Sequence, residues 1–414
     1  MRLWLSPLLR AGDTTATRAR YSRVVRFFRA ACAPLLMGLG LSLPAARVTA
    51  QPAPTPPAVD VGLGRGVTIR AADGQASMNI RARVQVRSTF VRNDDADDTS
   101  EFLIRRARLV FQGEAAGSTL TYYVQLSFAN LDNEADLRLP LRDAYVTWTA
   151  ARDARVRVGQ MKVPFSRQRV VSSSALQMVD RSPVVSELNL DRDVGIQLFS
   201  KDLFGLGRLG YAVGLFGGEG RNRLGRTAGL LYTARVEAWP FGAFDDYVEG
   251  DLQRRRALRL AVGASAGYNQ NTNRPRSTIG TPFAAGDVDY RHAAADISLK
   301  WRGWSLTSEL MYRNAARLAE LAASAAPLAR SGWGAYVQSG MMVGPRWEVT
   351  GRASHLVPDR GTDATFARGR ELGAGVSYYL HGHDLKVQGD YVRVRGPVPA
   401  RTTQQVRAQF QLFF

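Results

Sequence analysis

The chain of 414 residues is poor in the groups that most often carry chemistry. It has one cysteine, four histidines and, among 55 basic residues, only four lysines. A lone Cys32 excludes a disulfide framework within the chain. Four scattered histidines (His292, His355, His381 and His383) do not make a Cys/His zinc site. Neither a metal nor a cofactor is indicated. After the N-terminal region no run of 18 apolar residues occurs, which excludes a membrane-spanning helix. Lysine is confined to Lys162, Lys201, Lys300 and Lys386, so the other 51 cations are arginine, and the formal charge is +19. These arginines are dispersed at even spacing, without a basic helix or interleaved stacking aromatics, so nucleic acid is not an expected partner.

Enzymatic constellations are equally scarce. Gly263-Ala264-Ser265-Ala266-Gly267 has the G-x-S-x-G spacing, but no helix follows it, as a nucleophile elbow requires. His381-Gly382-His383 offers two ligands in a turn, too few to hold a metal. The chain is read as non-enzymatic.

What is present begins with a leader. Residues 1–29 carry seven arginines and one acid, an uncharged stretch runs from Ala30 to Ala46, and Val48-Thr49-Ala50 supplies a small-residue cleavage site. This is the pattern of a secretory signal peptide over residues 1–50. Cleavage after Ala50 leaves a chain of charge +12 with no cysteine. Residues 51–75 read as a Pro-rich linker (QPAPTPP) and a short periplasmic segment, and residues 76–414 as the folded body.

That body alternates. Met78, Ile80, Ala82, Val84, Val86 and Phe90 interleave with Asn79, Arg81, Arg83, Gln85, Arg87 and Thr89, and the last segment sets Val406, Ala408, Phe410, Leu412 and Phe414 against Gln405, Arg407, Gln409 and Gln411. Period two marks strands with unlike faces. Sixteen such strands are expected, near 76–92, 101–113, 118–131, 141–150, 153–162, 192–200, 207–217, 226–238, 255–269, 289–302, 303–314, 331–343, 345–356, 368–380, 383–396 and 403–414. Short links alternate with long ones, 239–254 excepted, and aromatics such as Trp148, Trp301, Trp347 and Tyr378 sit near strand ends on the apolar face. An even count, unequal connections and aromatic girdles predict an all-β transmembrane antiparallel barrel in the outer membrane, facing lipid with its apolar side. A soluble β-sandwich is the competing fold, and it would leave an arginine-rich face simply exposed.

Parity then assigns the lumen. Fourteen cations fall on the polar face: Arg81, Arg83, Arg87, Arg106, Arg108, Arg155, Arg157, Arg235, Arg259, Lys300, Arg313, Arg352, Lys386 and Arg407. Eight acids share that face. Closure of the barrel makes neighbours of the strands bearing Arg407, Arg81/Arg83/Arg87 and Arg106/Arg108, so six arginines line one wall. A positive wall in a narrow aqueous path favours anions, and the planar guanidinium fork suits phosphate or carboxylate oxygens. The longest connection, 163–191, is the third external one and is expected to fold inward. A parity shift at Gly159-Gln160 would turn Lys162 towards it.

Several stretches carry a family resemblance. They include Phe102-Leu103-Ile104-Arg105-Arg106-Ala107-Arg108-Leu109, Asp143-Ala144-Tyr145-Val146 and Val158-Gly159-Gln160-Met161-Lys162-Val163-Pro164-Phe165-Ser166. Further on come Arg192-Asp193-Val194-Gly195-Ile196-Gln197 and Tyr378-Tyr379-Leu380-His381-Gly382-His383-Asp384-Leu385-Lys386. In this order they resemble the phosphate-selective porin O and P family over 76–414. The resemblance implies a trimeric sixteen-stranded channel for phosphate, chloride and related anions, with an arginine ladder leading to a constriction. By position Arg81, Arg83, Arg106, Arg108 and Arg407 would form the ladder, and by motif Lys162 would stand at the constriction. A weakly selective general porin and a non-conducting structural barrel remain the alternatives.

Overall fold

The computed structural model describes residues 58–94, 96–132, 140–223, 229–282, 286–316, 329–363, 365–366, 368–396 and 402–414. The expected leader and the Pro-rich QPAPTPP stretch lie outside the described residues. Two short strands come first, β1 (Ala58–Gly62) and β2 (Gly66–Arg70). Sixteen barrel strands follow: β3 (Ser77–Asn93), β4 (Thr99–Ala115), β5 (Leu120–Ser127), β6 (Leu141–Trp148), β7 (Arg155–Lys162), β8 (Arg192–Ser200), β9 (Leu209–Phe216) and β10 (Leu231–Ala238). The rest are β11 (Arg259–Thr272), β12 (Val288–Trp301), β13 (Trp304–Ala316), β14 (Gly332–Val343), β15 (Trp347–Pro358), β16 (Gly369–His381), β17 (Leu385–Arg395) and β18 (Thr402–Phe413).

Each strand from β3 to β17 pairs antiparallel with the next, and β18 returns to β3, from Thr403 opposite Asn93 to Phe413 opposite Arg83. The sheet is therefore closed, with sixteen strands, and its ring has no unpaired edge. Burial follows the alternation. Along β14 the residues switch between buried and exposed at nearly every step. The exposed set is apolar (Val349 53%, Val343 55%, Leu372 65%), whereas Gln85, Gln338, Lys386 and Gln411 are fully buried. A water-soluble sandwich places these classes the other way round. This inside-out distribution is what a lipid-facing barrel requires.

All sixteen expected strands are present, several with shifted ends. The β1–β2 hairpin is an addition to the sequence reading, which took 51–75 as linker and short segment. Its β2 pairs Val67–Arg70 with Ile80–Ser77 of β3, continuing the row that β18 occupies from Arg83 upward. Its alternation, Val59 and Val61 against Val67 and Ile69, is brief and glycine-flanked, with β1 largely exposed and β2 only partly so.

Two bulges break the strict parity of the wall. Gln85 pairs with Arg106 while Val86 pairs with Ile104, so Arg105 is the extra residue of β4. Gln125 pairs with Asp143 while Leu126 pairs with Leu141, so Arg142 is the extra residue of β6. An inserted residue re-aims the side chains around it. Here Ile104 faces outward, 57% exposed, while Arg106 and Arg108 are buried.

Between β7 and β8, residues 163–191 carry two short helices, α1 (Arg167–Val170) and α2 (Pro183–Leu188). Ser166 caps α1 by accepting from the Arg169 amide, and Ser182 caps α2 with Pro183 at its first position, both favourable N-terminal placements. Val184, Val185 and Leu188 of α2 bury with Phe165, Met311, Tyr336 and Leu356 in one apolar cluster.

Candidate functional site

The polar face of the barrel meets segment 163–191 on many sides. The Gln85 Nε2 donates to Ser173 O at 3.2 Å, the Lys386 Nζ to Leu176 O at 2.7 Å, and the Val179 amide to an Asp390 carboxylate oxygen at 3.0 Å. Gln177 Nε2 donates to Glu348 at 2.6 Å and to Ser305 at 2.8 Å. The link after β10, the exception to the alternation of connection lengths, also meets this segment. Its Glu249 accepts from Gln168 Nε2 at 2.9 Å and from the Gln177 amide at 2.8 Å, and its Asp246 pairs with Arg167. Arg167 also reaches Asp296 at 2.5 Å and Glu237 at 3.0 Å, so one buried guanidinium gathers three carboxylates.

The six-arginine wall forms on β18, β3 and β4, and most of it is paired. Arg407 makes a bidentate contact with Asp390 at 2.7 and 2.9 Å. Arg108 does the same with Asp132 at 2.5 and 2.6 Å. Arg87 and Arg106 converge on Asp180 at 2.5 and 3.4 Å. Arg81 donates to Gly64 O at 2.6 Å and lies over the Phe413 ring, 3.8 Å from its centroid. Arg83, 3% exposed, donates to the Ser172 hydroxyl at 3.3 Å. Asp132 and Asp180 sit in connections, outside a parity count made on strands alone, which is why the sequence reading left that wall more positive than it is.

Burial tends to raise both of these carboxylates. For Asp180, Arg87 and Arg106 outweigh it; for Asp132, Arg108 and Arg142 do. Both are held well below the ordinary aspartate range.

The uncompensated charge lies next to this wall. A cavity of about 760 Å³ is lined by twelve cations, among them Arg106, Arg108, Arg142, Arg157, Lys162 and Arg181, against six acids. Lys162 Nζ donates to Val170 O at 2.7 Å and Val171 O at 3.2 Å, the exit of α1. Gln160, two residues earlier on β7, is 3% exposed and donates to the backbone of Arg142 at 2.8 Å, so both residues leave the outward register set by Val158. Arg181 donates to Gln168 O at 2.9 Å and Val171 O at 2.7 Å. Arg157 lies between two rings, 4.4 Å from the Tyr145 centroid and 4.9 Å from that of Phe199. Tyr145 in turn stacks on Tyr123 at 5.3 Å. Among the described residues no carboxylate lies within 4.0 Å of Arg157, Lys162, Arg181 or Lys201.

Of the residues expected from sequence, Arg106, Arg108, Arg157 and Lys162 line this cavity. Arg81, Arg83, Arg87, Arg155 and Arg407 do not. The sequence reading did not select Arg142, Lys201, Tyr123 or Tyr145. For Arg142 the bulge is the reason: parity with Asp143 sends it outward, yet it is 5% exposed.

A closed sixteen-stranded barrel, polar within and apolar without, with a cationic cavity beside a folded connection, is a porin. The chain belongs to the phosphate-selective porin O and P family, whose model matches residues 76–414. An uncharacterized protein from Aquifex aeolicus (strain VF5) is 21% identical over 347 residues, covering 75% of this chain and 80% of that one. The fold is similar to an anion-selective porin from Comamonas acidovorans, with TM-score 0.56 and 13% identity over 82% of this chain and 100% of that one. It is also similar to the outer membrane channel DcaP of Acinetobacter baumannii, with TM-score 0.53 and 14% identity over 82% of this chain and 97% of that one.

Proposed function

We propose that this protein is a passive outer-membrane channel for anions, with phosphate or related oxyanions as its preferred cargo. The observation that carries the reading is the cavity with twelve cations against six acids, in which Arg157, Lys162, Arg181 and Lys201 have no carboxylate partner among the described residues. Desolvated cations with unused N–H groups attract oxyanions, and guanidinium forks bind them in a bidentate manner. Segment 163–191 acts as the constriction, with Lys162 and Arg181 at its edge and Arg106, Arg108 and Arg157 on the facing wall. Arg83 and Arg155 contribute long-range positive potential along the path, whereas the charges of Arg81, Arg87 and Arg407 are balanced by Asp384, Asp180 and Asp390. The chain is exported by its leader, sits in outer-membrane lipid, assembles as a homotrimer and has no catalytic role.

Purified protein in a planar bilayer under a KCl gradient tests this. An anion-selective reversal potential is expected, and millimolar phosphate should reduce the chloride current. A cation-selective potential overturns the proposal. The pairing of Arg87, Arg108 and Arg407 with acids favours a second reading, a weakly selective porin, for which chloride current would ignore phosphate.

A further inference from the structure

The cavity beside segment 163–191 has two chemically different ends. Across β7 and β8, Lys162 pairs with Arg192 at the segment end and Arg155 pairs with Phe199 at the far end. Lys162 and Arg181 make the segment end cationic. At the far end the lining turns aromatic. Tyr123, Tyr145 and Phe199 come from β5, β6 and β8, and Trp239, Phe244 and Tyr247 from the link after β10. That link starts at the far end too, since Ala238 pairs with Leu209 and Tyr211 of the same strand pairs with Ser200.

The alternation of the wall does not call for rings here. Val146, Val158 and Leu198 of these strands face outward and are exposed, so Tyr145 and Phe199 occupy positions that polar residues fill elsewhere. Other inward rings serve packing: Tyr290 and Tyr336 are fully buried in apolar clusters. Tyr123 and Tyr145 are only half-buried and keep surface open to the cavity. Arg157 joins the two chemistries. Its guanidinium lies between Tyr145 and Phe199, and its Nε donates to the Thr147 hydroxyl at 3.1 Å. Its two terminal nitrogens have no acceptor among the described residues. Stacking fixes the plane of the fork and leaves its outer edge for an oxyanion.

We infer that the cavity is built for phosphate monoesters whose ester group is a flat aromatic ring, with the phosphate on the free edge of Arg157 and the ring against Tyr145. Lys162 and Arg181 draw the phosphate in from the segment end. Inorganic phosphate leaves the aromatic end unused, whereas an aryl ester uses both, because ring faces and edges attract one another in offset or edge-to-face contact. The size agrees: about 760 Å³ lies within the roughly 300–1,000 Å³ of sites that hold organic ligands. The inference rests on the anion reading of this cavity and narrows it to one class of cargo.

The test is block of the chloride current through the wild-type channel in a planar bilayer. Inorganic phosphate, phenyl phosphate and cyclohexyl phosphate are compared at about pH 8, where each is mainly dianionic. Phenyl phosphate should halve the current at roughly one tenth of the concentration that either other anion needs, the worth of about one aromatic contact. Equal potency of phenyl and cyclohexyl phosphate, or of phenyl and inorganic phosphate, overturns the inference without any variant. In the Tyr145→Leu channel the two esters should become equal, and a retained difference of roughly tenfold overturns it as well. Failure of the underlying anion reading looks different: a cation-selective KCl reversal potential, with no block by any of the three, overturns both.

Discussion

Lys162 and Arg181 donate to one acceptor, the carbonyl of Val171, at 3.2 and 2.7 Å. Two cations from different elements are thereby held together without a carboxylate to neutralise them. Burial, reinforced by the neighbouring Arg169, pushes the Arg181 guanidinium down to about 9, which still leaves it charged at neutral pH. Replacing both with glutamine should lower the anion-to-cation permeability ratio by roughly fivefold, the size of about 1 kcal/mol of exposed Coulomb attraction. Reversal potentials under a KCl gradient measure it, and an unchanged ratio would contradict the role assigned to the pair.

Asp180 ties segment 163–191 to three arginines of the wall, closely to Arg87 and Arg106 and at 3.8 Å to Arg407. Asp180→Asn removes the charge, leaving Arg87 with only neutral partners and Arg106 with Asp132 as its remaining carboxylate. Anion selectivity should rise, while the anchoring of the segment weakens by roughly 1–3 kcal/mol, the usual cost of depriving buried charged groups of a partner. Open-channel noise and protease sensitivity of residues 163–191 report the second effect. A quieter, more resistant channel would speak against it.

Acid should act on the same tie. Asp180 and Asp132 are both held below their ordinary value, so their contribution is complete above about pH 4 and is lost as pH falls through the folded-state values. The segment should stay protease-resistant from neutral pH down to about 4 and loosen only below that. Loosening between pH 7 and 5 would show that other groups govern it.

Gly159 has φ +127°, and a Cβ built there would lie 2.2 Å from Ala144 O of the paired strand. Gly159→Ala therefore cannot be accommodated without moving β6 or β7, and a left-handed φ costs an alanine about 1 kcal/mol in addition. Heat-modifiable electrophoretic mobility should show reduced folded yield. Full yield would mean that the strands separate easily at this point.

Alternation made the barrel legible because one chemical rule, apolar outward, acts on every wall residue. The rule held for Leu372 and Val349 as for the buried Gln338 and Lys386. It lost accuracy where geometry departs from period two. Arg105 and Arg142 are bulge residues, and nothing in the run Ile104-Arg105-Arg106 or in Leu141-Arg142-Asp143 alone separates a bulge from a regular strand. Lys162 was recoverable because Gly159 marks the departure. The partners of the arginine wall were harder: Asp132 and Asp180 meet Arg108 and Arg87 only after the connections fold back, a tertiary event with no local signature. Likewise the aromatic–guanidinium stack of Tyr123, Tyr145 and Arg157 joins β5, β6 and β7, and each ring alone looked like an ordinary strand residue.

The ring closes between β3 and β18, where Gln85 and Gln411 hydrogen-bond across 326 positions of sequence. Every other junction of the wall joins neighbours in the chain and can form as soon as both strands exist. This one must wait for fifteen strands to be laid down, and its loop-closure entropy is the largest in the molecule. Until then β3 offers a long open edge, the kind that recruits wrong partners. The hairpin of β1 and β2 already covers its first residues, from Ser77 to Ile80, so the waiting edge is shortened before its true partner arrives.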